Sequence, residues 1–360
     1  MNGSGREDAQ RPRRLLFILP GFPADELDDT CLPAVQTYVR AAARDGIADW
    51  VGVLAIHYPY ESREYDWNGA HVWALGAGNR RSLFRLDVWR RALRIVNDAQ
   101  PDLLHSFWVG ECAVLGELGA RRLRCGHVAS IAGQELRQPG LYARWLRRGS
   151  FVLTAGSDQA AETARRGLRR GVDAIIPLGM DLGDLPSPAP EVSDGRDHTG
   201  FDVLYVGSLI PVKRPEDALA VADMMPHVRF GMIGDGPLRE ALETRAGANV
   251  VFTGFLPRHR VLRHMQYARI LLHPAEYEAQ GFVFLEALAT GMHVVCRDVG
   301  APGHSDRVHR CETPDEMGAV IDAILSRSEE RRAVEVPTVE QTIASYAAVY
   351  RQALTRALAQ

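Results

Sequence analysis

One order of elements recurs along the 360 residues: a short apolar run, a turn rich in glycine, then a stretch with helical spacing. The runs at residues 15–19, 50–56, 71–75, 103–106, 128–131 and 151–154 form one series, and those at 202–206, 228–233, 250–252, 270–272 and 294–296 form a second. Strands separated by helices pair in parallel, because a parallel partner needs a crossover long enough to hold a helix. The chain is therefore expected to be α/β, with doubly wound parallel sheets that bind ligands at the carboxyl edge of their strands. Between the two series lies P-S-P-A-P-E-V-S-D-G-R-D-H-T-G, residues 186–200, which reads as a linker.

A length of 360 residues allows two domains with full cores, and 46% apolar against 24% charged residues is ordinary for a globular chain. No apolar run approaches the ~20 residues of a membrane span, and the polar start lacks a signal-peptide core, so a cytoplasmic location is expected. Five widely spaced cysteines with no C-x-x-C pair argue against a disulfide framework or a zinc site. Of the 42 basic residues only Lys213 is a lysine. A compact ammonium among arginines suits a phosphate that needs a point charge and not a planar fork.

The stretch P-A-E-Y-E-A-Q-G-F-V-F-L-E-A-L-A-T-G, residues 274–291, reads as loop, helix and glycine stop between two buried strands. Gly281 lets the backbone approach a ligand, and the amides of Phe282 and Val283 fall in the first helical turn, where the helix leaves donors unpaired. Glu278 in the loop and Glu286 in the helix flank that anion site, placed to accept from sugar hydroxyls. Taken alone, the same residues describe a surface loop and an amphipathic helix. Upstream, Gly207 and Ser208 end a strand and Lys213 follows six residues after the glycine, which offers backbone donors and one ammonium to a diphosphate. The spacing differs from a Walker A loop, and Gly234-Asp235-Gly236 has Arg239 where a dinucleotide fingerprint needs its third glycine.

Taken in order, the loop with Lys213, then G-D-G-P-L, V-F-T-G and Glu278-x7-Glu286 resemble the nucleotide-sugar domain of retaining glycosyltransferases of family four. The resemblance implies the GT-B fold, two Rossmann-like domains facing a cleft. Residues 1–12 are then a disordered start, 13–182 an acceptor-side domain, 183–200 the linker, 201–337 the donor domain and 338–360 a closing helix on the first domain. It implies a metal-independent, hexosyl-type transfer from a nucleotide diphosphate sugar to a sugar, lipid-linked or small-molecule acceptor, with no cofactor. Lys213 and Glu278 take the catalytic roles. Gly21, Gly207, Ser208, Gly234, Gly281, Phe282, Val283 and Glu286 take the donor, with Glu286 on the ribose. Two departures stand out: Ser208 replaces an arginine and Ala132 a histidine. His105, Gln134 and Glu135, at strand ends of the first half, are left as acceptor-side candidates.

Residues 1–182 hold 24 arginines against 21 acids, a net +3 in a chain whose total is −3. That bias raises peripheral contact with an anionic inner membrane face, and nothing suggests nucleic acid. Two other readings share the fold: a nucleotide-sugar epimerase using His105 and Glu135 as acid and base, and a non-catalytic partner subunit that binds the donor.

Overall fold

The computed structural model describes residues 11–78, 84–187 and 200–359, which fall into two compact units: residues 1–179 with 338–360, and residues 180–337. The linker expected at 183–200 lies largely outside the described residues, as does most of the expected disordered start. The Arg11 guanidinium bonds Asp49 Oδ1 at 2.5 Å and the Gly46 carbonyl at 2.6 Å.

Unit 1 is built on an eight-stranded sheet: β1 (Arg14–Gly21), β2 (Trp50–Tyr58), β3 (Arg63–Trp67), β4 (Ala70–Ala74), β5 (Leu103–Phe107), β6 (Gly126–Ile131), β7 (Val152–Ala155) and β8 (Ala174–Ile175). Its spatial order is β3-β4-β2-β1-β5-β6-β7-β8, parallel except for the β3–β4 pair. Helices α1 (Pro33–Arg44), α2 (Phe84–Ala99), α3 (Glu111–Leu123), α4 (Leu141–Leu146) and α5 (Asp158–Leu168) connect the strands. β1 is enclosed along nearly its whole length, as a continuous apolar strand covered on both faces should be. β3 was not foreseen, because R-E-Y-D-W carries three charged residues and only Tyr65 and Trp67 alternate as apolar positions, too short a run to read as a strand. It is an edge strand held by a two-residue hairpin, with Asn68 at φ 45° and Gly69 at φ 83°, the left-handed pair that such a turn requires. The start foreseen at Ser82 for the arginine-rich helix lies outside the described residues; α2 runs on to Ala99.

The last helix of the chain, α11 (Val339–Leu358), belongs to unit 1. Thr338 and Gln341 close a capping box at its start, satisfying two of the donors that a helix end leaves open. Tyr346 and Tyr350, one turn apart, bury their rings in the core cluster formed by β1, β2, β5 and α1. Their hydroxyls meet a polar chain in that core. His105 Nδ1 lies 2.8 Å from Tyr350 Oη and its Nε2 2.7 Å from Ser130 Oγ; Tyr38 shares the Tyr350 hydroxyl at 2.6 Å, and Tyr346 reaches Ser130 at 2.9 Å. His105 is 0% exposed, and both ring nitrogens are engaged. It is therefore a core residue and not an acceptor contact: it sits within β5, with β1 and β6 on either side.

Burial holds His105 well below the ordinary histidine value, and it lowers His127, fully enclosed beside Glu117, in the same direction. In the unfolded chain both titrate near 6.5, so below that pH the unfolded state binds more protons. Stability of unit 1 should be complete above pH 6.5 and fall as pH drops through it, by up to about 1.4 kcal/mol per pH unit for each group. All six tryptophans lie in residues 50–145, so urea melts followed by tryptophan fluorescence report this unit alone. A midpoint unchanged between pH 7.5 and 5.5 would contradict the assignment.

Unit 2 has a six-stranded parallel sheet: β9 (Val203–Val206), β10 (Phe230–Ile233), β11 (Val250–Gly254), β12 (Ile270–His273), β13 (His293–Cys296) and β14 (Val308–Arg310). Between them run α6 (Pro215–Met224), α7 (Arg239–Arg245), α8 (Arg258–Met265) and α9 (Phe282–Ala289), with α10 (Pro314–Leu325) after β14. The order is β11-β10-β9-β12-β13-β14. From β9 the chain winds outward to β11, then returns to β12 beside β9 and winds the other way. The switch point therefore lies between β9 and β12, and their carboxyl ends splay into a crevice.

Candidate donor site of unit 2

The loops that leave β9 and β12 meet at this switch point. A short 3-10 turn, Pro211–Lys213, follows β9, and its Val212 carbonyl accepts from the Glu276 amide at 2.9 Å. That backbone bond brings Lys213 to Glu278, and Nζ donates to Glu278 Oε1. His273, the last residue of β12 and 1% exposed, places Nε2 2.7 Å from the same oxygen. Burial pushes the Glu278 carboxyl up, but the His273 hydrogen bond, the His273 charge and the Lys213 ammonium together outweigh it and hold it down at about 2. Glu278 is thus an ionised, acceptor-only group at neutral pH. An ammonium has three donors and Glu278 uses one, which leaves two for phosphate oxygens. Sequence reasoning missed His273, although its place directly before Pro274 at the strand end was the available signal.

Helix α9 starts beside this cluster. Gly281 is its N-cap at φ 80°, and a Cβ there would lie 2.4 Å from the Phe284 ring, so both backbone and space demand glycine. The amides of Phe282 and Val283 have no partner within the helix, and the helix dipole adds partial positive charge at the same end. Gln280, just before, accepts the Ala301 amide at 2.7 Å, which braces the loop against the segment after β13.

The loops after β9, β10 and β11 stack along the same edge. Gly207 donates to the Ile233 carbonyl, Leu209 to Asp235, and Gly234 to Gly254, each at 2.9–3.0 Å. Ser208 is exposed at the rim and contributes its carbonyl to Tyr205 Oη at 3.1 Å. The arginine absent from that position is not replaced by Arg214, which bonds Asp217 Oδ1 at 2.9 Å and lies 3.6 Å from Glu276.

Glu286, on α9, is only 7% exposed. Its Oε1 accepts from Arg258 Nε at 2.7 Å, and Arg258 Nη1 donates to Asp184 Oδ2 at 2.8 Å. Burial raises the Glu286 carboxyl, with the Arg258 charge opposing and Asp184 reinforcing the rise. Arg258 and Asp184 were not foreseen, since neither stands in a motif; an arginine at the first position of the helix after V-F-T-G-F-L-P was the only trace.

The remaining candidates lie in unit 1. Gly21 is buried at the end of β1, where a Cβ would sit 3.1 Å from Tyr58 Cβ and 3.4 Å from Cys31 Sγ, so close strand packing accounts for it. Gln134 is exposed in the turn after β6. Glu135 Oε1 accepts from the Val109 and Ala132 amides, both at 3.1 Å, so this carboxylate ties the β5 and β6 loops together. Its Oε2 is buried and has no partner. At the opposite edge a cavity of about 180 Å³ lies among Glu117, Arg121, Arg124, Cys125 and Arg356. It is smaller than the ~300–1,000 Å³ typical of small-molecule sites, and Glu117 is already bonded to Arg121, His127 and the Ser150 amide.

The family model of the group 1 glycosyl transferases matches residues 191–334. A GDP-mannose-dependent alpha-mannosyltransferase of Mycolicibacterium smegmatis is 34% identical over 247 residues, 62% of this chain and 62% of the relative. A GDP-mannose-dependent alpha-(1-6)-phosphatidylinositol dimannoside mannosyltransferase of Mycobacterium tuberculosis is 29% identical over 197 residues, 47% of this chain and 50% of its own. The matches thus span between half and two thirds of these curated relatives. Among solved structures, Anabaena Alr3699/HepE in complex with UDP and glucose superposes with a TM-score of 0.62 at 15% identity, over 96% of this chain and 98% of that one. The chain has the GT-B fold, and its residues 191–334 match the family model of the group 1 glycosyl transferases.

Proposed function

We propose that the protein is a retaining, metal-independent glycosyltransferase that moves a hexosyl group from a nucleoside diphosphate sugar. The observation that carries this reading is the meeting of Lys213, Glu278 and the start of α9 at the β9–β12 switch point. The diphosphate lies against the Phe282 and Val283 amides with the free donors of Lys213 on its oxygens. Charge that develops on the leaving diphosphate is met by groups already in place, so little reorganisation accompanies bond breaking. Glu278, held ionised, accepts from hydroxyls of the transferred sugar. Glu286 accepts from the ribose.

The acceptor is a sugar, a lipid-linked glycan or a small molecule. A relative whose name specifies a phosphatidylinositol dimannoside supports the lipid-linked option. So does the surface of α4, where Leu141 is 79% and Trp145 40% exposed next to Arg144 and Arg148, a composition suited to an anionic membrane surface. No helix among the described residues is long and apolar enough to cross a membrane.

The reading is tested by binding and turnover together. Thermal-shift measurements with UDP, GDP, ADP and dTDP identify the base, since a ligand at ~100 times its dissociation constant stabilises the folded state by ~2.7 kcal/mol. The matching sugar donor is then assayed with an acceptor panel in EDTA, and the product anomer is read by NMR. Transfer with retention, unaffected by EDTA, is the expected result; turnover that EDTA abolishes would remove the metal-free mechanism. The epimerase reading loses its acid or base, because His105 is enclosed in the core.

A further inference from the structure

The side-chain bonds of the Glu286–Arg258 pair are incomplete in a specific way. An arginine presents Nε and Nη2 along one edge, matched to the two oxygens of a carboxylate. Here only Nε is used, on Oε1, while Nη1 turns to Asp184. Arg258 Nη2 is buried and has no hydrogen-bond partner, and the Arg258 side chain is only 12% exposed. Covalent geometry keeps Nη2 next to Nε and Oε2 next to Oε1, so one edge offers a donor and an acceptor together. The guanidinium lies 5.7 Å from the ring of Phe282, the first residue of α9, one turn before Glu286 on the same helix. A buried donor left unsatisfied is unfavourable, and a ligand that supplies an acceptor relieves it.

We infer that Arg258 is a donor-binding residue that, with Glu286, reads a vicinal diol: one ribose hydroxyl donates to Glu286 Oε2 and its neighbour accepts from Arg258 Nη2. The inference rests on the donor reading above and narrows it, since it makes the substrate a ribonucleoside diphosphate sugar and excludes 2′-deoxy donors of the dTDP kind. Asp184 holds the other end of the guanidinium, so that Nη2 is presented in one orientation.

Dissociation constants are measured for whichever of UDP, GDP and ADP binds, and for its 2′-deoxy and 3′-deoxy analogues. Wild type is compared with Arg258→Lys, which keeps the charge between Glu286 and Asp184, and with Arg258→Met. Wild type should bind each deoxy analogue about ten- to hundredfold more weakly than the riboside, one lost hydrogen bond to a charged group in each case. In both variants one analogue should lose its penalty, because the group that read its missing hydroxyl is gone. The other should keep its penalty, because Glu286 remains. A merely structural arginine would weaken all three ligands alike and leave the ratios untouched, which would overturn the inference. Equal binding of riboside and deoxy forms by wild type would overturn it while sparing the donor reading. No binding of any nucleoside diphosphate would overturn both.

Discussion

Replacing Lys213 with alanine is expected to lower kcat by about 10²- to 10³-fold, the range seen when a preorganised oxyanion donor is removed. Affinity for the nucleoside diphosphate should fall much less. The split follows from where the charge appears. On the proposed reading, the diphosphate charge of the bound donor is already shared with the α9 amides, whereas the new charge of the departing group arises at the oxygen that Lys213 faces. Arginine at 213 should recover only part of the loss, since its planar fork is longer than the ammonium and less compact. Lys213 also helps hold Glu278 ionised, but His273 remains at 2.7 Å from the same oxygen, so the carboxylate does not become an unpaired buried charge in the variant. Steady-state kinetics with saturating donor and isothermal titration with the nucleotide separate the two effects. An alanine variant with unchanged kcat would remove Lys213 from the reaction, whereas a wild type that binds donor but turns over none would favour the partner-subunit reading.

The strands, their parallel pairing and the glycine turns were readable because each rests on local chemistry: apolar runs of strand length, and glycines where backbone must come close. The same logic placed Gly281 before a helix and Lys213 after a strand. That these two segments meet depends on the strand order, which no local pattern reveals; the Val212 carbonyl to Glu276 amide bond joins residues 64 apart in the chain. His105 shows the converse. A histidine at a strand end reads as a ligand as easily as a core residue, and only the arrival of Tyr346 and Tyr350 from the other end of the chain decides it. The Arg258–Asp184 pair was illegible for the same reason, because Asp184 comes from the far side of residues 188–199.

Gly234→Ala and Gly318→Ala should move the stability of unit 2 in opposite directions. A Cβ on Gly234 would lie 2.0 Å from the carbonyl oxygen of Gly207, and the residue has φ +140°, a region open to glycine but rarely to other residues. The neighbour is backbone, held by the bond from the Gly207 amide to the Ile233 carbonyl, so no side chain can rotate away. Overpacking and backbone strain of this kind together destabilise by about 3–5 kcal/mol. The displaced segment is the loop that leads to Lys213, so donor affinity should fall with stability. Gly318 lies inside α10, and its Cβ would meet only Met224 Cε, at 3.3 Å, the tip of a flexible side chain. There alanine removes glycine's helix penalty and should stabilise by roughly 0.5–1 kcal/mol. Urea unfolding followed by circular dichroism compares the two, with tryptophan fluorescence monitoring unit 1 separately. If Gly234→Ala were as stable as wild type and bound nucleotide equally well, the close packing of the two loops, and with it the position assigned to Lys213, would be wrong.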